Sequence, residues 1–221
     1  MPTSDTHNSS SRHFNPWLIT FAVLGGTFME FLDGTIVNVA LPHISANLAA
    51  TTDEATWVLT SYLVANAIVL PITGWMATRF GRRNLLLISL AGFTIASLFC
   101  GMATSLPMLI LWRIAQGFLG GGLQPFSMAI LLEAFPPEKH GVAMASWMIA
   151  ALTSPLLGPI LGGYIVDNFT WRWIFYVNVP LGIFFYLLCA YCVFDPPYLR
   201  RNASNTVDYW GIILLSLAVG S

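Results

Sequence analysis

Six long apolar stretches constrain this chain more than any other feature. A helix needs about 20 mostly apolar residues to cross the hydrocarbon layer of a membrane. The stretches that meet this length are Trp17–Leu41, Ala55–Ala77, Leu85–Ala103, Leu106–Leu132, Val142–Val166 and Ile174–Phe194. Their apolar residues run continuously, without the period-two alternation of a membrane β-strand. The sequence therefore predicts an all-α polytopic membrane protein.

The composition excludes several classes of function. Hydrophobic residues make up 56% of the chain and charged residues 9%, whereas ordinary soluble domains carry roughly 25% charged residues. The basic residues are too few and too scattered for nucleic-acid binding. The three cysteines lack the spacing of a zinc site or a disulfide framework. We therefore expect no nucleic-acid partner and no metal.

Polar segments divide the chain. We predict a cytoplasmic tail over residues 1–16, a six-helix transmembrane bundle over 17–194 and a cytoplasmic linker over 195–208. The first apolar stretch is too long for a signal peptide and is expected to be retained. A seventh stretch, 209–221, is too short to cross, so it is predicted to be the start of a truncated seventh span.

Lysine and arginine predict the orientation, because cytoplasmic loops carry an excess of both. With the N-terminus inside, the outer loops hold Arg172 as their one basic residue, and Arg113 lies within span 4. The seven on the inner side are Arg12, Arg79, Arg82, Arg83, Lys139, Arg200 and Arg201. The N-terminus is therefore predicted to be cytoplasmic.

Span 1 contains two carboxylates, Glu30 and Asp33, although an ionised carboxylate at membrane depth costs several kcal/mol unless it is paired or hydrated. On a helical wheel both acids lie on a polar arc of roughly 140°, which predicts that this face points to a cavity. That arc comprises Gly26, Thr27, Glu30, Asp33, Gly34 and Asn38. In span 4 a narrower polar arc, of roughly 100°, contains Arg113, Gln116, Gly117, Gly120, Gln124 and Ser127.

Asp33 and Arg113 therefore have two interpretations. They can form a static buried salt bridge, which is weak evidence of stabilisation. Alternatively, Asp33 is a site that gains and loses a proton as its distance from Arg113, or its hydration, changes with conformation. Glu30 has its own pair of interpretations: it attracts cationic, lipophilic compounds, or it is a neutral, hydrogen-bonded acid.

Four further segments narrow the class. Gly158 and Gly162 in span 5 are four residues apart, which allows close helix approach, and Pro159 between them favours a kink. Such a helix suits rocking between inward-open and outward-open states. The segments are "GWMATRFGRRN" between spans 2 and 3, "LWRIAQGFLGGG" in span 4, "SPLLGPILGGYI" in span 5 and "WRWIFYVNVPLG" at the start of span 6.

Together with "LDGTIVNVALP", these segments resemble the major facilitator superfamily, and within it the drug:proton antiporters of the EmrB/QacA type, a fourteen-span branch. The resemblance implies the major facilitator fold. The matching positions are Asp33 through Pro42, then Gly74, Arg79, Gly81 and Arg82, then Arg113, Gln116 and Gly117, and finally Gly158, Pro159, Gly162 and Gly163. The loop motif commonly carries Asp where this chain has Thr78, which can cap a helix but supplies no charge.

The resemblance implies a secondary transporter, not an enzyme, that exports amphipathic or cationic compounds across the cytoplasmic membrane. A proton gradient, not a cofactor, is its expected source of energy. The expected roles are proton coupling for Asp33, Glu30 and Arg113, substrate-cavity lining for Glu30, Asn38, Gln116 and Gln124, and gating for the loop 2–3 and span 5 positions. The expected partners are small amphipathic substrates, protons and the lipid bilayer, with a periplasmic adaptor and an outer-membrane channel left open.

Three alternatives remain at this level. A proton-linked importer of the same fold is disfavoured, because importers of the family generally lack the Gly-Pro-x-x-Gly-Gly pattern of span 5. An intramembrane enzyme is disfavoured, because all four histidines fall outside the predicted spans. An inactive or regulatory half-transporter fragment is the third, since transport needs two halves around a midplane site.

Overall fold

The computed structural model describes residues 15–194, and helices account for nearly all of that range, which contains no strand. The helices are α1 (Pro16–Asn47), α2 (Thr52–Phe80), α3 (Arg82–Gly101), α4 (Leu106–Gly120), α5 (Leu123–Ala134), α6 (His140–Asn168), α7 (Trp173–Tyr176) and α8 (Asn178–Cys192). Six helical segments in this range are long and apolar enough to cross a membrane. The predicted all-α class is confirmed. The predicted tail (apart from residues 15 and 16), linker and seventh span lie outside the described residues.

The starts of α1 and α2 follow local capping. The Asn15 side chain accepts a hydrogen bond from the Trp17 backbone N–H at 3.0 Å, and Pro16 occupies the first turn, where its missing N–H is harmless. α1 continues past the predicted end at Leu41 and includes His43, and α6 begins at His140. The prediction that all four histidines lie outside the spans was therefore wrong for these two. At α2, Thr51 and Glu54 form a reciprocal capping box.

The turn between α2 and α3 is a single residue. Gly81 has a φ of 83°, a left-handed conformation that glycine adopts readily and most other residues do not. Its backbone N–H bonds the Ala77 carbonyl at 3.2 Å, which ends α2, and α3 begins at the next residue, Arg82. The loop predicted between spans 2 and 3 is therefore a tight turn fixed by one glycine.

Span 4 was predicted as one helix, but it is divided at Gly121 and Gly122. A Cβ on Gly121 would lie 3.0 Å from the Asn66 carbonyl oxygen and 3.1 Å from the Val69 Cβ, both on α2. A Cβ on Gly122 would come within 3.0 Å of the Ser89 hydroxyl on α3. These glycines therefore let span 4 press closely against two neighbouring helices at the point where its helix is interrupted. Span 6 is likewise divided, at Val177.

The core consists of two apolar clusters with a polar layer between them. One cluster includes Met29, Phe93 and Leu123, and the other includes Ile36 and Leu109. Along α1, Asp33 lies between the two clusters, and on α4, Arg113 and Gln116 lie between them in the same way. Ser97 on α3 and Asn178 at the start of α8 belong to the same layer. The polar layer is thus built from four spans and sealed above and below by apolar packing.

Side chains tie the helix ends together. At the end that carries the α2–α3 turn, Arg82 pairs with Glu133 of α5. Arg83 donates to the carbonyl oxygens of Ala190 and Val193, at 2.8 and 2.5 Å, and so satisfies the end of α8. At the opposite end, Arg172 donates to the Ala103 carbonyl at 3.1 Å. The predicted orientation rests partly on Arg12, Arg200 and Arg201, which lie outside the described residues, and stays a prediction.

The outer surface of the bundle is strongly apolar. On α6, Ile149, Leu152 and Leu156 expose 67%, 68% and 71% of their surface. A row of large exposed aliphatic side chains on a long helix is typical of a face that meets lipid or another apolar surface.

Candidate functional site

Asp33 lies in the polar layer, and its carboxylate accepts hydrogen bonds from three side chains. Its Oδ2 accepts from Arg113 Nη1 at 2.5 Å. Its Oδ1 accepts from Asn178 Nδ2 at 2.9 Å and from Gln116 Nε2 at 3.2 Å. Asp33 is completely buried. The expectation that it faces a cavity was therefore wrong, because α4 and α8 cover it.

Arg113 is also completely buried, and its guanidinium is held on several sides. Besides Asp33 it reaches the Val58 carbonyl through Nε at 3.0 Å and Gln116 Oε1 through Nη1 at 2.8 Å. Its guanidinium carbon lies 4.1 Å from the centre of the Tyr62 ring, in cation–π contact. The polar arcs of spans 1 and 4 thus bring the acid and the cation together, as their helical wheels indicated.

Asn178 was not among the residues predicted for the site. It lies at the start of α8, is completely buried, and donates to Asp33 and, at 3.1 Å, to the Ser97 hydroxyl. A signal was present in the sequence, since an asparagine inside an apolar span needs a hydrogen-bond partner. Its distance from Asp33 along the chain, 145 residues, kept that partner from being identified.

Glu30 lies apart from this cluster, beside a cavity of about 290 Å³ lined by α1, α2 and α5. Its Oε1 accepts from Asn66 Nδ2 at 2.6 Å and from Gln124 Nε2 at 3.0 Å. Its Oε2 and the Tyr62 hydroxyl are buried without a hydrogen-bond partner among the described residues. The acid therefore borders the cavity with one satisfied oxygen and one buried oxygen whose bonding a proton would complete.

The predicted cavity residues fall in different places. Glu30 and Gln124 line the cavity. Gln116 does not, because it belongs to the Asp33 cluster. Asn38 is an exposed residue two turns further along α1 from Glu30 and is not part of the lining. Asn66, which the sequence analysis did not name, takes the place beside Glu30.

The loop 2–3 residues lie at one end of the bundle, away from both acids. Arg79 is exposed and lies 5.9 Å from the centre of the Trp75 ring, while Arg82 pairs with Glu133. Gly74 has open space around it. Thr78 does not cap a helix: its hydroxyl donates to the Trp75 carbonyl at 2.8 Å inside the last turn of α2.

The span 5 glycines divide into two groups. A Cβ on Gly158 would overlap the Thr35 side chain of α1, and one on Gly162 would lie 3.1 Å from Ile36 Cγ1. A Cβ on Gly163 would meet no other helix within 4 Å in the described part of the chain. The helix continues through Pro159. The four-residue spacing thus produces the predicted close approach, and its partner is the helix that carries both acids.

Within residues 15–194, no group of three or more His, Cys, Asp or Glu side chains is placed to hold a metal ion. The polar groups that converge are carboxylates, amides and one guanidinium. This arrangement can hold or release a proton and can bind a cation at Glu30.

The family model of the Major Facilitator Superfamily matches residues 23–219. The chain belongs to this superfamily. The predicted family and fold are confirmed, and the chain is a multi-pass membrane protein. Solved structures of the fold agree: the inward-open xylose transporter XylE from E. coli matches with a TM-score of 0.73 at 17% identity, over 93% of this chain and 57% of that one.

Curated relatives include export proteins. The probable multidrug resistance protein EmrY of Escherichia coli K12 is 50% identical over 208 residues, and the multidrug export protein EmrB of the same organism is 44% identical over 204 residues. The fatty acid resistance protein FarB of Neisseria gonorrhoeae is 42% identical over 207 residues. Each match covers 92% of this chain and 40% of the relative, so the chain spans about two fifths of the length of these relatives.

Proposed function

We propose that this chain contains the proton-coupling half of a multidrug exporter of the cytoplasmic membrane, which exchanges protons for amphipathic or cationic compounds. The buried pair of Asp33 and Arg113, beside the Glu30 cavity, is the observation that carries the proposal. The identity of 44–50% to multidrug resistance and export proteins supports the class of substrate. The excess of basic residues on one side supports a cytoplasmic N-terminus.

The two acids have different tasks in this proposal. In the conformation described here Asp33 accepts from three donors, one of them the Arg113 guanidinium. A change of conformation that separates it from Arg113 removes the strongest of these donors and favours uptake of a proton. Glu30 borders a cavity and receives the substrate's cationic group.

Drug efflux tests the proposal. The full-length protein is expressed in cells that lack their main efflux pumps, and both drug susceptibility and dye efflux are measured. Expression should lower susceptibility to several amphipathic compounds, and an uncoupler that collapses the proton gradient should remove dye efflux. Unchanged susceptibility, or efflux that persists in the presence of the uncoupler, contradicts the proposal.

Glu30→Gln is expected to reduce resistance to cationic compounds more than to neutral ones. The amide preserves the shape of the side chain and an acceptor for Asn66, but it removes the negative charge at the cavity. The loss of one charge-assisted contact corresponds to about tenfold in affinity for a cation. Minimal inhibitory concentrations for matched cationic and neutral compounds measure the difference.

Glu138→Gln is the matched control for this prediction, because Glu138 is an exposed acid outside the long helices. It should leave both groups of compounds unaffected. Equal losses for cationic and neutral compounds in the Glu30 variant would assign Glu30 to the proton pathway instead.

Arg113→Lys is expected to lower efflux at least about tenfold while expression stays near normal. Lysine keeps the positive charge but cannot bond Val58, Gln116 and Asp33 together, or stack flat on Tyr62. Dye efflux is compared at equal amounts of protein in the membrane. Arg172→Lys is the matched control, since Arg172 also bonds a carbonyl and contacts the Trp171 ring but pairs with no acid of the described residues. Failure of the Arg113 variant to accumulate would favour a static structural salt bridge.

A further inference from the structure

Asn178 touches the charged centre of the bundle from a helix to which the sequence assigned no role. Its Nδ2 donates both to Asp33 Oδ1 and to the Ser97 hydroxyl, at 2.9 and 3.1 Å. Its Oδ1 has no hydrogen-bond partner in the described part of the chain, although the residue is completely buried. A buried amide with its acceptor unused needs an explanation, because buried polar atoms are nearly always paired.

The charge of Asp33 fixes which end of the amide faces it. An ionised carboxylate only accepts hydrogen bonds, so the neighbouring amide must present its NH₂ group. Arg113 has donors alone, so it can bond only an acceptor oxygen of Asp33, and it bonds the ionised acid most strongly. In this arrangement the Asn178 oxygen is turned away from the acid and left without a donor.

When Asp33 takes up a proton, it needs a neighbouring group that accepts a hydrogen bond instead of one that donates it. The new hydroxyl must donate, and few acceptors lie in the cluster. Gln116 Oε1 already accepts from Arg113 Nη1 at 2.8 Å and from the Cys100 thiol at 3.5 Å. The oxygen of Asn178 is unused and belongs to a group already in contact with Asp33. A half-turn of the amide about its terminal torsion, where two orientations are accessible, brings this oxygen to the acid.

We propose that Asn178 is a positioning residue for Asp33, and that its amide turns over when Asp33 takes up a proton. The inference rests on the proposed function, in which Asp33 exchanges protons. The same turn places the Asn178 oxygen beside Ser97, whose hydroxyl donates to the Phe175 carbonyl at 3.0 Å in the structure. Ser97 must then either donate to Asn178 and give up Phe175, or keep Phe175 and lose Asn178 as a partner. Protonation of an acid on span 1 is thereby passed to the contact between spans 3 and 6.

Other charged and titratable groups surround the acid and belong to the same equilibrium. Asp33 interacts electrostatically with Arg113 on α4, with Cys100 on α3 and with Tyr62 on α2. Glu30 lies one turn before Asp33 on α1. The groups bonded to Asp33 Oδ1 are Asn178 and Gln116. Each of the four residues just named would have to move before it could replace Asn178 as both donor and acceptor at this oxygen.

Protonation of Asp33 can be followed directly in the purified full-length protein. Infrared difference spectra recorded against pH report the carboxylic acid, and Asp33→Asn identifies its band. Asn178→Leu, of similar size, removes a charge-assisted donor from the ionised acid and a weaker, neutral acceptor from the protonated acid. Half-protonation of Asp33 is therefore expected to move about one unit to higher pH. The pH profile of ethidium exchange in proteoliposomes should move in the same direction.

Two control variants separate positioning from simple structural support. Ser97→Ala removes the bond to α3 but leaves the Asn178 amide on Asp33, so the midpoint should stay at its wild-type value. Ser154→Ala removes a hydroxyl that is equally buried and whose one hydrogen bond within residues 15–194 goes to the Ala150 carbonyl of its own helix. It should change neither the midpoint nor the exchange.

The possible outcomes are distinct. An unchanged midpoint in Asn178→Leu, or an equal shift in Ser97→Ala, overturns the role of Asn178. Asn178→Ala removes the same amide and leaves a smaller side chain than leucine. If neither variant accumulates in the membrane, the residue is purely structural. Ethidium exchange by the wild type that does not depend on the proton gradient contradicts the proposed function. The infrared midpoints still decide the role of Asn178 in that case. Asp33 that never takes up a proton contradicts both.

Discussion

Replacing Asp33 by asparagine is expected to abolish proton-driven efflux in the full-length protein. The amide keeps an oxygen that can accept from Arg113, but it has no charge to pair with the guanidinium and takes up no proton. Removal of one partner from a buried ion pair costs about 3–5 kcal/mol, so the unfolding temperature should also fall. Membrane insertion should persist, because the apolar stretch that directs it is unchanged.

Dye efflux and the amount of protein in the membrane are measured together for this variant. Asp53→Asn is the matched control, since Asp53 is an exposed acid in the first turn of α2. Its exchange for an amide should leave efflux unaltered. Normal efflux from a well-expressed Asp33→Asn protein would remove Asp33 from the proton pathway.

Replacing Gly158 by leucine is expected to stop net efflux by blocking the movement of span 5 against span 1. A Cβ at this position would lie 2.7 Å from Thr35 Cβ, an atom fixed to the α1 backbone, and 3.3 Å from the Ile36 backbone nitrogen. The Thr35 hydroxyl is bonded to the carbonyls of its own helix, so it offers little room for adjustment. Overpacking of this kind costs about 1–3 kcal/mol and pushes the two helices apart.

Substrate binding should survive in this variant, because Glu30 and Arg113 are untouched. The test pairs ligand binding to purified full-length protein with dye efflux from cells. Gly141→Leu is the matched control on the same helix, since a Cβ on Gly141 would meet no other element within 4 Å among residues 15–194. Normal efflux from Gly158→Leu would show that the glycine serves ordinary packing, and would remove the main argument from the sequence for export over import.

Much of the architecture could be predicted from residue chemistry alone. Continuous apolar runs long enough to cross a membrane can hardly form anything but helices, and all six predicted runs correspond to helical segments. The meeting of an acid of span 1 with Arg113 was also predictable, because Arg113 is the one charged residue of span 4 and both acids of span 1 lie on a polar face of an apolar helix. Hydrocarbon leaves such groups few partners other than each other.

The helical wheel could not predict that the two acids of span 1 have different surroundings. Glu30 and Asp33 lie within one polar arc, yet Glu30 borders a cavity and Asp33 is sealed beneath α4 and α8. An arc of roughly 140° is wide enough to face both a packed helix and an open space. Which of these a residue meets depends on where the neighbouring helices lie, and this information is not local to span 1.

The division of span 4 was missed for a related reason. Gly121 and Gly122 lie in an apolar run, so its hydropathy gives no sign of an interruption. Their effect arises from contacts with Asn66 and Ser89 on other helices. Asn178 was missed in the same way, since its partner on α1 is distant in sequence.

The proton movement that accompanies substrate movement tests the central claim most directly. Full-length wild-type protein and Asp33→Asn are reconstituted into liposomes that contain a pH-sensitive dye, and an ethidium gradient is imposed with no initial pH difference. The account predicts that ethidium moving down its gradient drives protons in the opposite direction in wild-type vesicles, and that the Asp33 variant moves none. Ethidium transport by the wild type without any accompanying proton movement, or equal proton movement in both proteins, would contradict it.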